Sequence, residues 1–332
     1  MNGKKVAVVG ATGAVGREVV KTLDARAFPV SELKLFASLR SARLKIPFQK
    51  REIVVEAIGA EENFSGMDIV FFTAGSSVSR TYAPRAVAAG AVVIDNSSLY
   101  RMDKGVPLVV PEINAHAIGS NKLIANPNCT TAQMVMVLKP LHDAFKIKRV
   151  LLSSYQAVSG KGQKGVDEFL LQAEDVLAGK KPEVREFPHQ IAFNCLPQVD
   201  IFEADGFTGE EHKVMNETRK ILGDESIRVA ATCVRVPVIN CHSEMVAIEC
   251  EKSITVESAR EALSRMPGVK VLDDVKNQIY PLATEASGKD DVFVGRIRRD
   301  PSCDNGLLLW IVADNLRKGA ALNAVQIAEK LL

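Results

Sequence analysis

The chain has 332 residues, and its 42 Lys and Arg side chains against 40 Asp and Glu leave a formal net charge of +2. This balance excludes a broad basic surface for nucleic acid. No apolar run approaches the roughly 18 residues that a membrane-spanning helix needs, so no membrane partner is expected. Apolar residues make up 47% and charged residues 25%, as in ordinary soluble proteins, and the length predicts two domains.

Six cysteines are present, and none has C-x-x-C or zinc-finger spacing. They are too sparse for a disulfide scaffold, so we expect free thiols, a reducing cytoplasm and no metal site.

Strands and helices alternate in the first third of the chain. Val6–Val9 is a continuous apolar run typical of a strand buried on both faces, and a glycine-rich turn and helical spacing from Val15 to Leu23 follow it. Further strands are predicted at Leu33–Phe36, Ile53–Glu56, Ile69–Phe72 and Ala91–Ile94, and a helix around Tyr82–Ala89. The alternation predicts an α/β domain with a parallel, doubly wound sheet of the Rossmann type.

The remainder predicts an α+β domain whose sheet is rich in antiparallel pairs. Strands are expected at Val150–Ser154, Ile227–Val236, Glu244–Glu249, Val292–Arg298 and Leu307–Ala313. Helices are expected at Gly165–Ala178, Glu210–Leu222 and Val256–Arg265. An amphipathic final helix is expected to pack back on the first domain, which therefore comprises 1–128 and 315–332, with 129–314 as the second domain.

The turn after the first strand contains G-x-x-G-x-x-G at Gly10, Gly13 and Gly16. Between a strand and a helix, such a turn lets backbone N–H groups approach a pyrophosphate, although a turn without a ligand is the alternative. The second predicted strand is followed by Arg40, Ser41 and Arg43 rather than by an acid. Guanidinium and hydroxyl groups suit a 2′-phosphate, which favours NADP over NAD unless these arginines only solvate a loop.

Cys129 stands at a predicted helix start, after Asn128 and before Thr130 and Thr131, which are candidate caps. Helix N–H groups favour a thiolate there and, with the Asn128 side chain, would stabilise an oxyanion. The other five cysteines fit small buried residues. Cys129 is therefore a candidate nucleophile, with a structural role left open.

A nucleophilic cysteine needs a base that is distant in sequence. Among five histidines, His242 lies at the start of a strand near Glu244, whereas His142 is expected on a helix surface. His242 is the candidate base, although a lone histidine is more often structural.

Five motifs together resemble the aspartate-semialdehyde dehydrogenase family, in the family's order and across essentially the whole chain. They are Gly10–Gly16, Asn126-Pro-Asn-Cys-Thr-Thr131, Ser154–Gly160, Glu210-Glu-His-Lys213, and Arg235-Val-Pro-Val238 through His242-Ser-Glu244. The related N-acetylglutamyl-phosphate reductases have His-Pro-Gly-Cys at the nucleophile, where this chain has Asn-Pro-Asn-Cys129.

The resemblance implies roles for individual residues. Cys129 would form the acyl-enzyme, His242 would be the general acid/base, and Gln156 would orient the acyl group. The substrate-binding residues would be Arg235 for the carboxylate, Glu210 for the ammonium group, and Arg101 and Lys213 for phosphate. The NADP contacts would be Gly10, Thr12, Gly13, Ala14, Val15, Arg40, Ser41, Ser159, Gly160 and Asn315. Ordinary surface pairing of Glu210 with Lys213, and solvation of Arg101, remain alternatives.

The implied fold is that of semialdehyde and glyceraldehyde-3-phosphate dehydrogenases: an NADP-binding domain plus a catalytic and dimerisation domain. The implied reaction is reversible, NADP-dependent reduction of L-aspartyl 4-phosphate to L-aspartate 4-semialdehyde and inorganic phosphate through a cysteine thioester. The reaction would serve the synthesis of lysine, diaminopimelate, threonine, methionine and isoleucine. The enzyme would be a homodimer. An N-acetylglutamyl-phosphate reductase-like enzyme and a non-catalytic NADP-binding paralogue remain alternatives.

Overall fold

The computed structural model describes residues 3–62 and 64–332. The chain divides into two compact units: the first unit comprises residues up to 128 and 320–332, and the second unit comprises 129–319. The sequence predicted that the chain returns to the first domain at residue 315, whereas in the structure it returns at residue 320. Within the described residues, no helix is long and apolar enough to cross a membrane.

Each unit is built on one sheet, and the two sheets together contain thirteen strands in the described part of the chain. The strands of the first unit are β1 (Lys4–Val9), β2 (Val30–Ala37), β3 (Lys45–Phe48), β4 (Arg51–Ala57), β5 (Ile69–Phe72), β6 (Val92–Asp95) and β7 (Leu123–Ala125). Those of the second unit are β8 (Ile147–Gln156), β9 (Arg228–Arg235), β10 (His242–Cys250), β11 (Val269–Val271), β12 (Val292–Arg299) and β13 (Gly306–Ala313).

Nine α-helices accompany the strands within the described residues. They are α1 (Ala14–Ala25), α2 (Ser76–Ala88), α3 (Pro111–Asn114), α4 (Cys129–Phe145), α5 (Gln163–Leu177), α6 (Gly209–Leu222), α7 (Val256–Ser264), α8 (Ala283–Ala286) and α9 (Leu322–Glu329).

The first unit has the strand order β3-β4-β2-β1-β5-β6-β7, and every neighbouring pair is parallel except β3 with β4. β3 was not predicted, since its short run lacks the continuous apolar pattern of the buried strands. The central strand β1 is buried on both faces, as its apolar run predicts. Val6 and Val8 pack with α9, whereas Ala7 and Val9 join the core on the opposite face of the sheet.

The second unit has the strand order β11-β12-β13-β10-β8-β9. The three central pairs are antiparallel, and the two outer pairs, β8 with β9 and β11 with β12, are parallel. Helices α4, α6 and α7 pack together and against the strands. Alternate residues of β10 are buried, from His242 through Glu244 to Cys250, and the intervening ones are partly exposed. One side of the sheet is therefore covered and the other is open.

Candidate active site and nucleotide site

The glycine turn between β1 and α1 has strict steric demands. Gly10 has a φ of +88°, a conformation that glycine adopts without a Cβ penalty. A Cβ on Gly16 would lie 2.2 Å from the Gly10 carbonyl oxygen, so no side chain fits there. A Cβ on Gly13 meets only that same oxygen, at 3.4 Å. Internal packing explains Gly10 and Gly16 better than Gly13, and the small residue at position 13 leaves room for a ligand.

The N-terminus of α1 has the chemistry of an anion site. The helix begins at Ala14, directly after Thr12 and Gly13, and Val15 lies in its first turn. Gly13 supplies no side-chain cap, and the first turn contains no acid. The first backbone N–H groups of a helix lack intrahelical partners and favour negative charge. Pyrophosphate oxygens fit this position.

The end of β2 lies beside the glycine turn. Gly10 N–H donates to the Phe36 carbonyl oxygen at 2.8 Å. Beyond β2, Arg40 and Ser41 lie in a short 3₁₀ turn, and the Arg40 guanidinium is exposed with no ion-pair or hydrogen-bond partner among the described residues. This is the position at which a Rossmann fold meets the adenosine ribose.

Two other candidate residues also belong to the first unit. Arg101 is buried, and one of its Nη atoms donates to the Asn96 carbonyl oxygen at 2.9 Å. Asn128 is buried and directly precedes Cys129 in the chain.

Helix α4 begins at Cys129 itself, so Thr130 and Thr131 lie inside its first turn rather than capping it. The Cys129 Sγ lies 3.2 Å from Nε2 of His242, at the start of β10. A Cβ on Gly319 would lie 2.7 Å from Cys129 Cβ, so a glycine is required beside the thiol. The structure thus pairs the candidate nucleophile with the candidate base across 113 residues of sequence.

The His242 ring is completely buried and held from two directions. The Ala157 backbone N–H donates to Nδ1 at 3.1 Å, while Nε2 points at the Cys129 sulfur. Burial, and then the nearby Arg235 charge, hold the pKa of His242 well below its usual range. Gln133, one turn after Cys129 on α4, donates to the His242 carbonyl oxygen at 3.3 Å.

Arg235 ends β9 and is buried, as is Gln156 at the end of the parallel neighbour β8. An Arg235 Nη atom donates to the Ala157 carbonyl oxygen at 2.7 Å. Gln156 Nε2 donates at 3.2 Å to Glu210 on α6. Burial lowers the pKa of Arg235, and the Glu210 charge partly opposes that shift.

Lys213 lies one turn after Glu210 on α6 and faces two carboxylates. Its Nζ lies 2.6 Å from Asp200 and 3.5 Å from Glu210. Burial raises the pKa of Asp200, but the hydrogen bond and charge of Lys213, together with the Ile201 backbone N–H, outweigh burial, and the net shift is downward. Lys213 thus carries the positive charge that suits a phosphate. Its counter-ion, Asp200, was not predicted from the sequence.

Ser159 and Asn315, two expected cofactor contacts, belong to one hydrogen-bond network in the second unit. Asn315 Nδ2 donates to Ser159 Oγ at 3.0 Å, and Asn315 Oδ1 accepts from the Cys241 N–H at 2.9 Å. Cys241 precedes His242 and has a φ of +73°. A Cβ on Gly160 would lie 2.7 Å from an Arg235 Nη atom and 3.4 Å from His242 Cε1. These residues therefore also shape the surroundings of the candidate base.

Besides the Thr130 and Thr131 caps, two further expectations from sequence were wrong. His142 is buried rather than on a helix surface, its Nε2 lies 3.4 Å from Asp224, and burial lowers its pKa. Cys195 is exposed and Cys303 only partly buried, whereas Cys233, Cys241 and Cys250 are buried as expected. Local periodicity does not indicate which neighbouring segment covers a helix. His142 was therefore wrongly predicted to lie on the surface.

Several residues of the site were not predicted. Gln133 had one usable signal, since it lies four residues after Cys129 and so on the same helix face. Asp200 and the Ala157 amide had none, because their roles depend on strand pairing and loop placement. Within residues 3–62 and 64–332, no group of three or more His, Cys, Asp or Glu side chains could hold a metal ion.

Two family models match the chain in line with this architecture. Residues 5–121 match the semialdehyde dehydrogenase NAD-binding domain, and residues 138–318 match the semialdehyde dehydrogenase dimerisation domain. Fold and site thus define a semialdehyde dehydrogenase, and the predicted fold class is confirmed.

The comparisons with individual proteins are more specific. An aspartate-semialdehyde dehydrogenase of Aquifex aeolicus is 53% identical over 99% of this chain and 98% of its own length. The crystal structure of aspartate-semialdehyde dehydrogenase II from Vibrio cholerae, complexed with ASA, has a TM-score of 0.97 and 45% identity and covers 100% of this chain and 98% of its own. An aspartate-semialdehyde dehydrogenase with NADP from Candida albicans has a TM-score of 0.77 and 28% identity and covers 99% and 98%.

The chain belongs to the aspartate-semialdehyde dehydrogenase family and is an oxidoreductase of that family. The resemblance stated from the motifs is confirmed.

Proposed function

We propose that the protein reduces L-aspartyl 4-phosphate reversibly to L-aspartate 4-semialdehyde and inorganic phosphate, with NADPH as reductant and Cys129 as nucleophile. The observation that supports this best is the 3.2 Å approach of Cys129 Sγ to His242 Nε2 at the start of α4. A helix N-terminus favours a thiolate and supplies N–H groups for an oxyanion, to which we add the Asn128 side chain.

Polar side chains of suitable type accompany the nucleophile. Arg235 is the proposed clamp for the substrate carboxylate, because a guanidinium matches a carboxylate in a bidentate pair. Glu210 is the proposed partner of the substrate ammonium group, and Gln156, hydrogen-bonded to it at 3.2 Å, orients the acyl group. Arg101 and Lys213 are the proposed phosphate ligands.

NADP(H) is the proposed cofactor. Gly10, Thr12, Gly13, Ala14 and Val15 would bind the pyrophosphate at the uncapped start of α1. The exposed Arg40, with Ser41, would meet the 2′-phosphate. Ser159, Gly160 and Asn315 are the proposed nicotinamide-side contacts. The NADP in the related Candida albicans structure supports this choice.

In the reductive direction, Cys129 thiolate attacks the acyl carbon; a C–S bond forms and the C–O bond to phosphate breaks. When bound, NADPH would supply the hydride that converts the thioester carbonyl to an alkoxide. The alkoxide then expels Cys129 thiolate as its C–S bond breaks, and aldehyde is released. His242 is the proposed general acid/base: it takes the proton of the Cys129 thiol as the thiolate forms and returns it to the sulfur when the thiolate is expelled.

The decisive assay follows NADPH formation from aspartate semialdehyde, phosphate and NADP⁺. We expect Cys129→Ser to lower turnover by roughly 10³-fold or more, because an alcohol is a far weaker nucleophile than a thiolate. Cys195→Ser is the matched control, since Cys195 is exposed and outside the site, and it should leave turnover unchanged. Wild-type turnover in Cys129→Ser would exclude the thioester.

N-acetylglutamate semialdehyde separates this function from the nearest alternative. Its acylated amine offers no ammonium group to Glu210, so we expect little turnover with it. Equal rates on the two semialdehydes would contradict the proposed substrate. A catalytically inactive paralogue would turn over neither.

We propose that the protein is a homodimer formed through the open side of the second-unit sheet. Tyr155 and Trp310 lie there with ring centroids 5.6 Å apart, and Tyr155 is 37% exposed. Met245 pairs with Trp310 across β10 and β13, so apolar side chains continue over the sheet. The dimerisation-domain match supports a second copy as the occupant.

Analytical ultracentrifugation tests the dimer. Trp310→Arg should shift the protein toward monomer at micromolar concentration, because a buried unpaired charge opposes association. A monomeric wild-type protein would contradict the proposal.

The product would enter the synthesis of lysine, diaminopimelate, threonine, methionine and isoleucine. The free cysteines suit a reducing compartment, and we propose the cytoplasm.

A further inference from the structure

The carboxyl group of Asp314 is surrounded by hydrogen-bond donors. Asp314 directly follows β13 and is buried. One of its carboxyl oxygens accepts from the backbone N–H groups of Leu316 at 2.9 Å and Arg317 at 3.2 Å. The other accepts from the Gly288 backbone N–H and from Asn240 Nδ2, each at 2.7 Å. All four partners are N–H donors, an arrangement that suits a carboxylate, because a carboxylate only accepts.

The Asp314 carboxylate determines which way round the Asn240 side chain lies. An amide presents either its oxygen or its NH2 to a neighbour, and only the NH2 donates. Because the carboxylate accepts, Asn240 Nδ2 faces Asp314, and it also donates to the Ser287 hydroxyl at 3.0 Å. Asn240 Oδ1 is thereby directed at the Ser159 hydroxyl, 3.1 Å away. An amide oxygen cannot donate, so the Ser159 hydroxyl is the donor in this pair.

A second amide, that of Asn315, is fixed in the same way. Its Oδ1 accepts from the Cys241 N–H at 2.9 Å, so its Nδ2 faces Ser159 and donates to the hydroxyl oxygen at 3.0 Å. Asn315 Oδ1 also lies 3.3 Å from Ser159 Oγ, but the Cys241 N–H already occupies it. The nearer Asn240 Oδ1 therefore takes the hydroxyl hydrogen, and Asn315 takes one of the two lone pairs of Ser159 Oγ.

We propose that Asp314 and Asn240 are positioning residues, which hold the Ser159 hydroxyl so that it offers a ligand only a lone pair. This rests on the proposed function, in which Ser159 contacts the nicotinamide side of the cofactor. A hydroxyl whose hydrogen is held by the protein can only accept from a ligand, so its partner has to be a donor. On the nicotinamide ring of NADP(H), the donor is the NH2 of the carboxamide.

The same arrangement predicts selectivity for that NH2. A freely rotating hydroxyl accepts from an amide or donates to a ketone, and so binds both groups comparably. A hydroxyl fixed as an acceptor pairs with the amide and is left unpaired beside a ketone. Fixing it before the ligand arrives also removes the cost of ordering it on binding.

The test compares two ligands that differ in this one group. In 3-acetylpyridine adenine dinucleotide phosphate a methyl ketone replaces the carboxamide of NADP⁺, so the carbonyl oxygen is kept and the NH2 is lost. Isothermal titration calorimetry measures the dissociation constant of each ligand without turnover. In the wild type we expect NADP⁺ to bind about tenfold more tightly, because the ketone leaves the Ser159 acceptor unpaired.

Variants of the two positioning residues should lower this preference. Asn240→Ala releases the Ser159 hydrogen, which can then turn to the ketone oxygen, and should reduce the preference to about threefold or less. Asn240 is only half-buried, so we expect this variant to fold. Asp314→Asn should have the same effect, because an amide presents either end to Asn240 and no longer fixes its orientation.

Ser287→Ala is the matched control. It removes the other partner of Asn240 Nδ2, at an exposed position, and leaves the contact with Asp314 in place. The preference for NADP⁺ over the ketone analogue should therefore keep its wild-type value. The ratio of the two dissociation constants separates positioning from a merely structural role, because a general loss of stability weakens both ligands alike.

Two results would overturn the inference: equal affinities for the two ligands in the wild type, or a wild-type preference retained in Asn240→Ala. Ser159→Ala tests the contact itself and should abolish the preference. Loss of the preference in Ser159→Ala but not in Asn240→Ala would leave the proposed cofactor contact intact and refute its positioning. A preference unchanged in Ser159→Ala would contradict the proposed contact, and the inference with it.

Discussion

The candidate sites of the two units consist of different chemical groups. In the first unit the nucleotide site is mostly main chain: a glycine turn, an uncapped helix start, and one exposed guanidinium, Arg40. In the second unit the site consists mostly of buried side chains, with His242 completely inaccessible and Gln156 only 1% exposed. A main-chain site is tolerant of most neighbouring side chains but intolerant of an added Cβ. A site of buried polar side chains instead depends on every hydrogen-bond partner.

The contrast predicts where mutations act. In the first unit, removing an exposed ligand-binding group should change affinity for the ligand and leave the fold intact. In the second unit, changing one buried group should disturb its neighbours, because a partner left unsatisfied in the interior costs about 1–3 kcal/mol. Substitutions in each unit test this difference.

Among the substitutions that test this contrast, the largest effect is expected at Arg235. Arg235→Lys should lower kcat/KM for aspartate semialdehyde by roughly 10²-fold, because an ammonium cannot make the bidentate carboxylate pair and also reach the Ala157 carbonyl oxygen. Arg228→Lys is the control, since Arg228 is exposed at the other end of the same strand. Equal effects of the two substitutions on kcat/KM would contradict the assigned role.

A smaller effect, confined to one ligand, is expected at Arg40. Arg40→Ala should reduce the preference for NADP⁺ over NAD⁺ by about tenfold to a hundredfold, since a charge-assisted hydrogen bond to the 2′-phosphate is lost. The melting temperature should not change, because the side chain is exposed. Arg43→Gly is the matched control, and glycine suits its φ of +69°. An unchanged cofactor preference in Arg40→Ala would exclude this 2′-phosphate contact.

The same contrast explains what the sequence predicted. Gly10, Gly13 and Gly16 form a local motif between a strand and a helix, so their placement followed from a short stretch of chain. Cys129 and His242 were candidates from local context, but their 3.2 Å approach depends on the start of α4 meeting the start of β10. No local pattern indicated that β8 and β9 pair in parallel and bring Gln156 beside Arg235.

Partners that act through the main chain were the hardest to predict. The Ala157 amide has no residue-specific signal, since any residue except proline supplies an N–H. Asp200 lies thirteen residues before Lys213, and only the loop leading into α6 brings them together. His142 shows the opposite failure, because its helical context was recognised while the Asp224 segment that covers it was not.

Gly160 tests whether a residue expected at the cofactor also positions the catalytic side chains. Gly160→Ala should lower kcat by about tenfold, because the new methyl group must displace the Arg235 guanidinium and crowd His242. Gly59→Ala is the control, since a Cβ there meets nothing within 4 Å. A higher KM for NADP⁺ with unchanged kcat would assign Gly160 to the cofactor alone.

The smallest effect on activity, and a distinctive one on stability, is expected at Glu244. Burial raises its pKa well above the usual value, and the neighbouring Gln133 side chain only partly opposes that shift. Its contribution to stability is therefore complete below the unfolded-state pKa of about 4.3 and declines as pH rises toward the folded-state pKa. Glu244→Gln removes this loss.

The free energy of unfolding of Glu244→Gln, relative to wild type, should thus increase with pH above about 4.3, at no more than about 1.4 kcal/mol per pH unit. Urea denaturation at a series of pH values measures this slope. Glu251→Gln, at an exposed position, is the control and should follow the wild type. The slope is the readout because a buried amide brings its own constant desolvation cost. Parallel stability curves for wild type and Glu244→Gln would mean that Glu244 is ionised in the folded protein, and hence that β10 has a buried negative charge two residues from His242.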